Sequence, residues 1–99
     1  MPPGPEAKIE DAFVAEMTKR GHLCPKLRWD GRNGWPDRTL ITPWGIRFYE
    51  FKAPGGQLSR AQTRMHSELR SRDQQIVVAH SLEWAMVDYE AWKDANRGD

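Results

Sequence analysis

The stretch Arg38-Thr39-Leu40-Ile41-Thr42-Pro43-Trp44-Gly45-Ile46-Arg47-Phe48-Tyr49-Glu50-Phe51-Lys52 decides the fold. Arg38 to Thr42 and Ile46 to Lys52 are strand-like runs, and Pro43-Trp44-Gly45 between them reads as a hairpin connection. Downstream, Ala53-Pro54-Gly55-Gly56 ends the second strand. Ser59-Arg60-Ala61-Gln62 has the form of a capping box, so a helix is expected from there to about Ser71. Gln75 to Ala79 reads as a short buried strand, and Ser81 can cap a further helix carrying Trp84, Met86, Val87, Tyr89 and Trp92. Upstream, Asp30-Gly31-Arg32-Asn33-Gly34 is a loop. Leu23, Leu27 and Trp29 alternate with Cys24, Lys26 and Arg28 as in a strand, although Pro25 cannot donate to a ladder and points to an edge or irregular one. Ile9, Ala12, Phe13 and Met17 recur at helical spacing, and Lys19, Arg20 and Gly21 supply a basic last turn and a stop. The expected order is helix, strand, hairpin, helix, strand, helix, following a flexible leader over residues 1–5.

A chain of 99 residues fits one small domain, 1–99, with room for a single core. Hydrophobic residues at 38% and charged residues at 29% describe a globular protein. No apolar run suits a bilayer, and Met1-Pro2-Pro3-Gly4-Pro5 lacks the basic and apolar regions of a signal peptide. An intracellular protein is expected. Cys24 is the only cysteine, so no internal disulfide can form, and it reads as a small buried hydrophobe. His22, His66 and His80 lack metal-ligand spacing and read as structural or surface residues. The net charge of +1 hides segregation. Six basic residues lie between Lys19 and Arg38 against Asp30 and Asp37, and four arginines lie between Arg60 and Arg72 against Glu68. This leaves room for a basic face that meets phosphates.

Strand alternation puts Glu50 and Lys52 on one side of the second strand. If Trp44-Gly45 is a two-residue turn, Asp37 lies opposite Lys52; with a four-residue loop it lies opposite Glu50. Both place all three on one face, whereas a three-residue loop turns Asp37 away unless a bulge restores the register. Two adjacent carboxylates repel each other unless a cation lies between them, and a hard divalent ion with oxygen preference such as Mg²⁺ resolves the conflict. Such an ion can hold a scissile phosphate oxygen while Lys52 positions water or stabilises the pentacovalent phosphate. The ordinary alternative is a cross-strand salt bridge between Lys52 and either acid.

Gly34-Trp35-Pro36-Asp37-Arg38, then Tyr49-Glu50-Phe51-Lys52-Ala53-Pro54-Gly55-Gly56, then Leu58-Ser59-Arg60-Ala61-Gln62, resembles the VRR-NUC family of the PD-(D/E)xK nuclease superfamily. The likeness runs from about Ile9 to Glu83. It implies a restriction-endonuclease-like α/β core with a mixed central sheet flanked by helices. Asp37 and Glu50 would be metal ligands for Mg²⁺ or Mn²⁺, completed by the Phe51 backbone carbonyl, with Lys52 as the catalytic lysine. Glu10 matches the family's helical acid, expected to reach the metal through water, with Glu6 as its competitor. Gln62 matches a glutamine that arranges the active site, a role that rivals its capping function. Lys26 and Arg38 are the candidates for DNA phosphates. Trp35 departs from the small aliphatic residue common before this Pro-Asp.

The resemblance implies a metal-dependent DNA endonuclease, selective for branched DNA in the manner of a Holliday junction resolvase. It also implies a homodimer, for which the apolar surplus on the last helix offers a face, in a bacterial or phage-infected cytoplasm. The alternatives are a noncatalytic DNA-binding module or a subunit of a larger repair or packaging complex.

Overall fold

A computed structural model describes residues 4–97 and contains three helices and three strands. Helix α1 spans Pro5–Lys19, strands β1 and β2 span Arg38–Thr42 and Gly45–Phe51, helix α2 spans Arg60–Arg70, strand β3 spans Ile76–Ala79 and helix α3 spans Leu82–Arg97. The sheet has the order β1-β2-β3, antiparallel between β1 and β2 and parallel between β2 and β3. The mixed sheet and the flanking helices are those expected. Of the leader, residues 1–3 lie outside the described residues, while Pro5 already occupies the first helical turn, where its missing N–H costs no hydrogen bond.

Alternation along β2 sorts its side chains between two layers. Arg47, Tyr49 and Phe51 face α1 and α3. Phe13 of α1 packs its ring at a tilt against Tyr49 and Phe51 with ring centroids 4.5 and 5.5 Å away, and Asp88 of α3 accepts hydrogen bonds from Arg47 and from the Tyr49 hydroxyl. Phe13, Met17, Leu40, Tyr49, Ala79 and Tyr89 form the centre of this core, and Cys24 joins it as the buried hydrophobe expected. Burial pushes the Cys24 thiol up to about 11, far from the thiolate form. Phe48 and Glu50 face the other way, toward Trp35 and α2.

Leu23 to Trp29 is not a strand. Leu23 and Ile41 exchange both backbone hydrogen bonds, at 3.2 and 2.8 Å, and the Pro25 carbonyl accepts from the Thr39 amide at 3.1 Å. The return bond of that second pair needs an N–H that proline lacks, so the ladder stops after one bridge and residues 26–37 leave the sheet as a loop. The helix starts follow the sequence. Ser59 and Gln62 form the capping box, and the Ser81 hydroxyl accepts from the Trp84 amide at 3.0 Å. On α3, Tyr89 is buried and Met86 and Trp92 pack on the core, which leaves Trp84 and Val87 exposed. No helix among the described residues is long and apolar enough to cross a membrane.

Candidate active site

The hairpin turn is Pro43-Trp44, which pairs Thr42 with Gly45 and, step by step, Arg38 with Tyr49. The turn has two residues, one position earlier than Trp44-Gly45, and its even length preserves the parity on which the site depends. Continuing the register by one residue puts Asp37 across from Glu50. The Phe51 amide confirms the approach, donating to the Asp37 Oδ2 at 2.8 Å. A strand residue directs its N–H and C=O to the same edge, so the Phe51 carbonyl lies on the Asp37 side as well. The Lys52 amide donates to the Ala79 carbonyl at 3.0 Å, which extends the pairing one residue beyond β2 and keeps Lys52 in the Glu50 register. Its side chain makes no hydrogen bond or ion pair among the described residues, so the simple cross-strand salt bridge does not form.

Glu50 is held from above by α2. Gln62 Nε2 donates to Glu50 Oε2 at 3.3 Å, and His66 Nε2 lies 3.1 Å from Oε1. Gln62 Oε1 meanwhile accepts from the Ser59 amide at 2.9 Å, so one side chain both caps the helix and grips the acid. The capping bond expected from the sequence and the bond to Glu50 are thus made by one side chain. His66 is the residue the sequence reading passed over as a functional candidate. It is fully buried, and burial, assisted by Arg70, lowers its pKa. The neutral ring donates through Nε2, leaving Nδ1 as a buried nitrogen with no hydrogen-bond partner. A signal existed, because Gln62 and His66 stand four residues apart and therefore share a helix face.

The acids are strained electrostatically. Burial, and then the hydrogen-bonding contact with Glu50, push the Asp37 carboxyl up to about 6, against the Phe51 amide and Lys26, which pull it down. Glu50 is also raised, chiefly by burial and further by Glu10, while Asp37 and Lys52 draw it down. A buried and a half-buried carboxylate in contact can share one proton or one cation. The donor set is all oxygen, which suits a hard divalent ion that keeps several of its waters. Among the described residues no three Asp, Glu, His or Cys side chains converge as a metal cage.

Glu10 does not join them. It sits on α1, where its Oε2 accepts from Arg38 Nε at 2.7 Å with Lys26 Nζ 3.8 Å away, and it acts on Glu50 through its charge alone. Arg38 also donates to the Cys24 carbonyl at 3.0 Å and is thus engaged inward. Lys26 remains largely exposed, on the wall of a cleft that also includes Asp37. Glu6, the other candidate acid, is exposed.

No family model matches the chain. A protein of Acyrthosiphon pisum secondary endosymbiont phage 1, "Putative nuclease p44", is 36% identical over 83 residues, which is 83% of this chain and 89% of the relative. A solved structure described as a VRR_NUC domain superposes with a TM-score of 0.81 at 28% identity, covering 89% of this chain and 97% of that one. The chain belongs to the VRR-NUC family. The VRR-NUC fold is restriction-endonuclease-like, so the small mixed sheet and its helices are its core. In this VRR-NUC chain Pro36-Asp37 immediately precedes β1 and Glu50-x-Lys52 closes the adjacent β2, so the hairpin brings the two elements side by side.

Proposed function

We propose that this chain is a metal-dependent endonuclease that hydrolyses DNA phosphodiesters, acting on branched DNA as Holliday junction resolvases do. The observation that carries the reading is the contact of half-buried Asp37 with buried Glu50, two acids whose charge calls for a cation, with Lys52 in register beside them. The family and the name of the phage relative support nuclease activity.

Asp37, Glu50 and the Phe51 carbonyl would hold Mg²⁺ or Mn²⁺. The bound ion supplies neutralisation of phosphate charge and acidification of water. Lys52 orients the attacking water and donates to the phosphate oxygens as their charge grows. Gln62 and His66 fix the Glu50 carboxylate, so that it need not reorganise during the reaction. Lys26 meets a neighbouring phosphate, and Glu10 restrains Lys26 and Arg38, with any link to the metal passing through water. A noncatalytic binding module has no use for two paired acids aimed at a phosphate, and cleavage by the isolated chain separates the enzyme from an inactive subunit of a larger complex.

Plasmid, flap and four-way junction DNAs with Mg²⁺ or Mn²⁺ test the proposal. Cleavage is expected, and Asp37→Ala and Lys52→Ala should lower it by about a hundredfold or more. No cleavage of any DNA, or unchanged cleavage by both variants, defeats the reading. The rate should rise with pH through about 6, where Asp37 loses its proton, and this limb should move to lower pH as metal concentration rises, because ion and proton compete for one carboxylate. A limb indifferent to metal concentration counts against Asp37 as ligand.

A homodimer is part of the same reading, since a junction is resolved by two symmetric cuts. Trp84 and Val87, 54% and 55% exposed and three residues apart on α3, offer an apolar face. Light scattering should show a dimer at micromolar concentration, with or without junction DNA; monomer under both conditions argues against it.

A further inference from the structure

We propose that Lys26 to Trp35 form a platform on which an unpaired nucleobase of the DNA strand stacks, next to the phosphate to be cut. The proposal rests on the nuclease reading and deepens it by naming what the enzyme recognises. Four observations support it. Leu27 and Trp29 are each 47% exposed, an unusual placement for two large apolar side chains in a loop. They line a cleft of about 490 Å³ with Arg28 and Trp35, and a second cleft of about 450 Å³ shares Leu27, Arg28 and Trp35 and ends at Pro36 and Asp37. The aromatic surface therefore leads directly to the acid pair.

The platform is also braced. Arg32 lies over the Trp29 ring at 4.8 Å and is paired with Glu68 of α2, while Trp35 stands edge-on to both Trp29 and Phe48, with centroids 6.3 and 5.6 Å apart. Finally, cations interleave with the apolar groups. The side chains of Lys26 and Arg28 are 66% and 86% exposed, and among the described residues Arg28 pairs with the still more exposed Asp30. Basic groups alternating with aromatic ones suit a strand whose phosphates and bases alternate in the same way. A base inside a duplex has both faces covered by its neighbours, so only an unstacked base offers a face to Trp29. Stacking of this kind gives preference for open or branched DNA without reading sequence.

Fluorescence anisotropy in EDTA tests this without catalysis, using a short labelled oligonucleotide, an abasic strand of the same length and a blunt duplex. Wild-type protein should bind the abasic strand about tenfold more weakly than the intact one, a comparison that requires no variant. Trp29→Ala should weaken binding of the intact strand about tenfold and of the duplex less than about twofold, with Trp29→Phe close to wild type. Equal affinity for abasic and intact strands overturns the platform. So does an equal loss on strand and duplex, or a Trp29→Ala variant that changes only self-association. Failure of the cleavage panel removes the nuclease reading and leaves the binding result standing, whereas loss of base dependence alone removes the platform and leaves the nuclease.

Discussion

Asp37→Asn should make the metal-free protein more stable by about 1 to 3 kcal/mol near neutral pH while slowing cleavage by about a thousandfold or more. The two effects share a cause. In the native state the Asp37 carboxyl ionises at about 6, against a reference value of 3.8, because it is partly buried and touches Glu50. The folded state thus binds more protons than the unfolded state between these values, and stability must fall as pH rises through that window. Asparagine removes the titration, can keep the acceptor for the Phe51 amide and can donate to Glu50. Its advantage should vanish below about pH 4, grow up to about 6 and remain level above. Urea unfolding in EDTA at several pH values measures the difference. Adding Mn²⁺ should reverse the order by stabilising only the wild type, and a variant less stable than wild type without metal near neutral pH would refute the argument.

Gly34→Ala should cost about 3 kcal/mol or more and abolish most cleavage. Gly34 has φ +94°, a conformation unfavourable to a Cβ, and an added Cβ would lie 2.2 Å from the Ala61 carbonyl oxygen in the first turn of α2. The obstacle is backbone, so either the loop or the helix must move. Asp37 and Gln62 are tied to those two elements, and their relation to Glu50 would change together. Gly31→Ala is the control: φ is +87° there but nothing lies within 4 Å, so the cost is the conformational preference alone, about 1 kcal/mol. Thermal unfolding of the two variants side by side should separate steric obstruction from backbone strain.

Much of this was legible in the sequence because it is local. A proline and glycine between two strand-like runs define a hairpin, and an even turn puts Asp37, Glu50 and Lys52 on one face whichever residues form it. Ser59-x-x-Gln62 and Ser81 marked helix starts through bonds made within one turn. What escaped depends on contacts between distant segments. His66 becomes a neighbour of Glu50 only when α2 settles on the sheet, and the Arg38 bond to Glu10 joins residues 28 apart in the chain. The alternation from Leu23 to Trp29 misled because apolar spacing records which way side chains point, whereas a strand also requires a donor at every second residue, and Pro25 has none.

That missing donor has an evolutionary consequence. It releases the loop carrying Trp29 and Trp35 from the sheet at its upstream end, while its downstream end stays tied through Asp37 to the Phe51 amide. If this loop selects DNA as proposed, substitutions near its upstream end, away from Gly34 and Asp37, would let descendants of one ancestor exchange targets while inheriting the same acid pair.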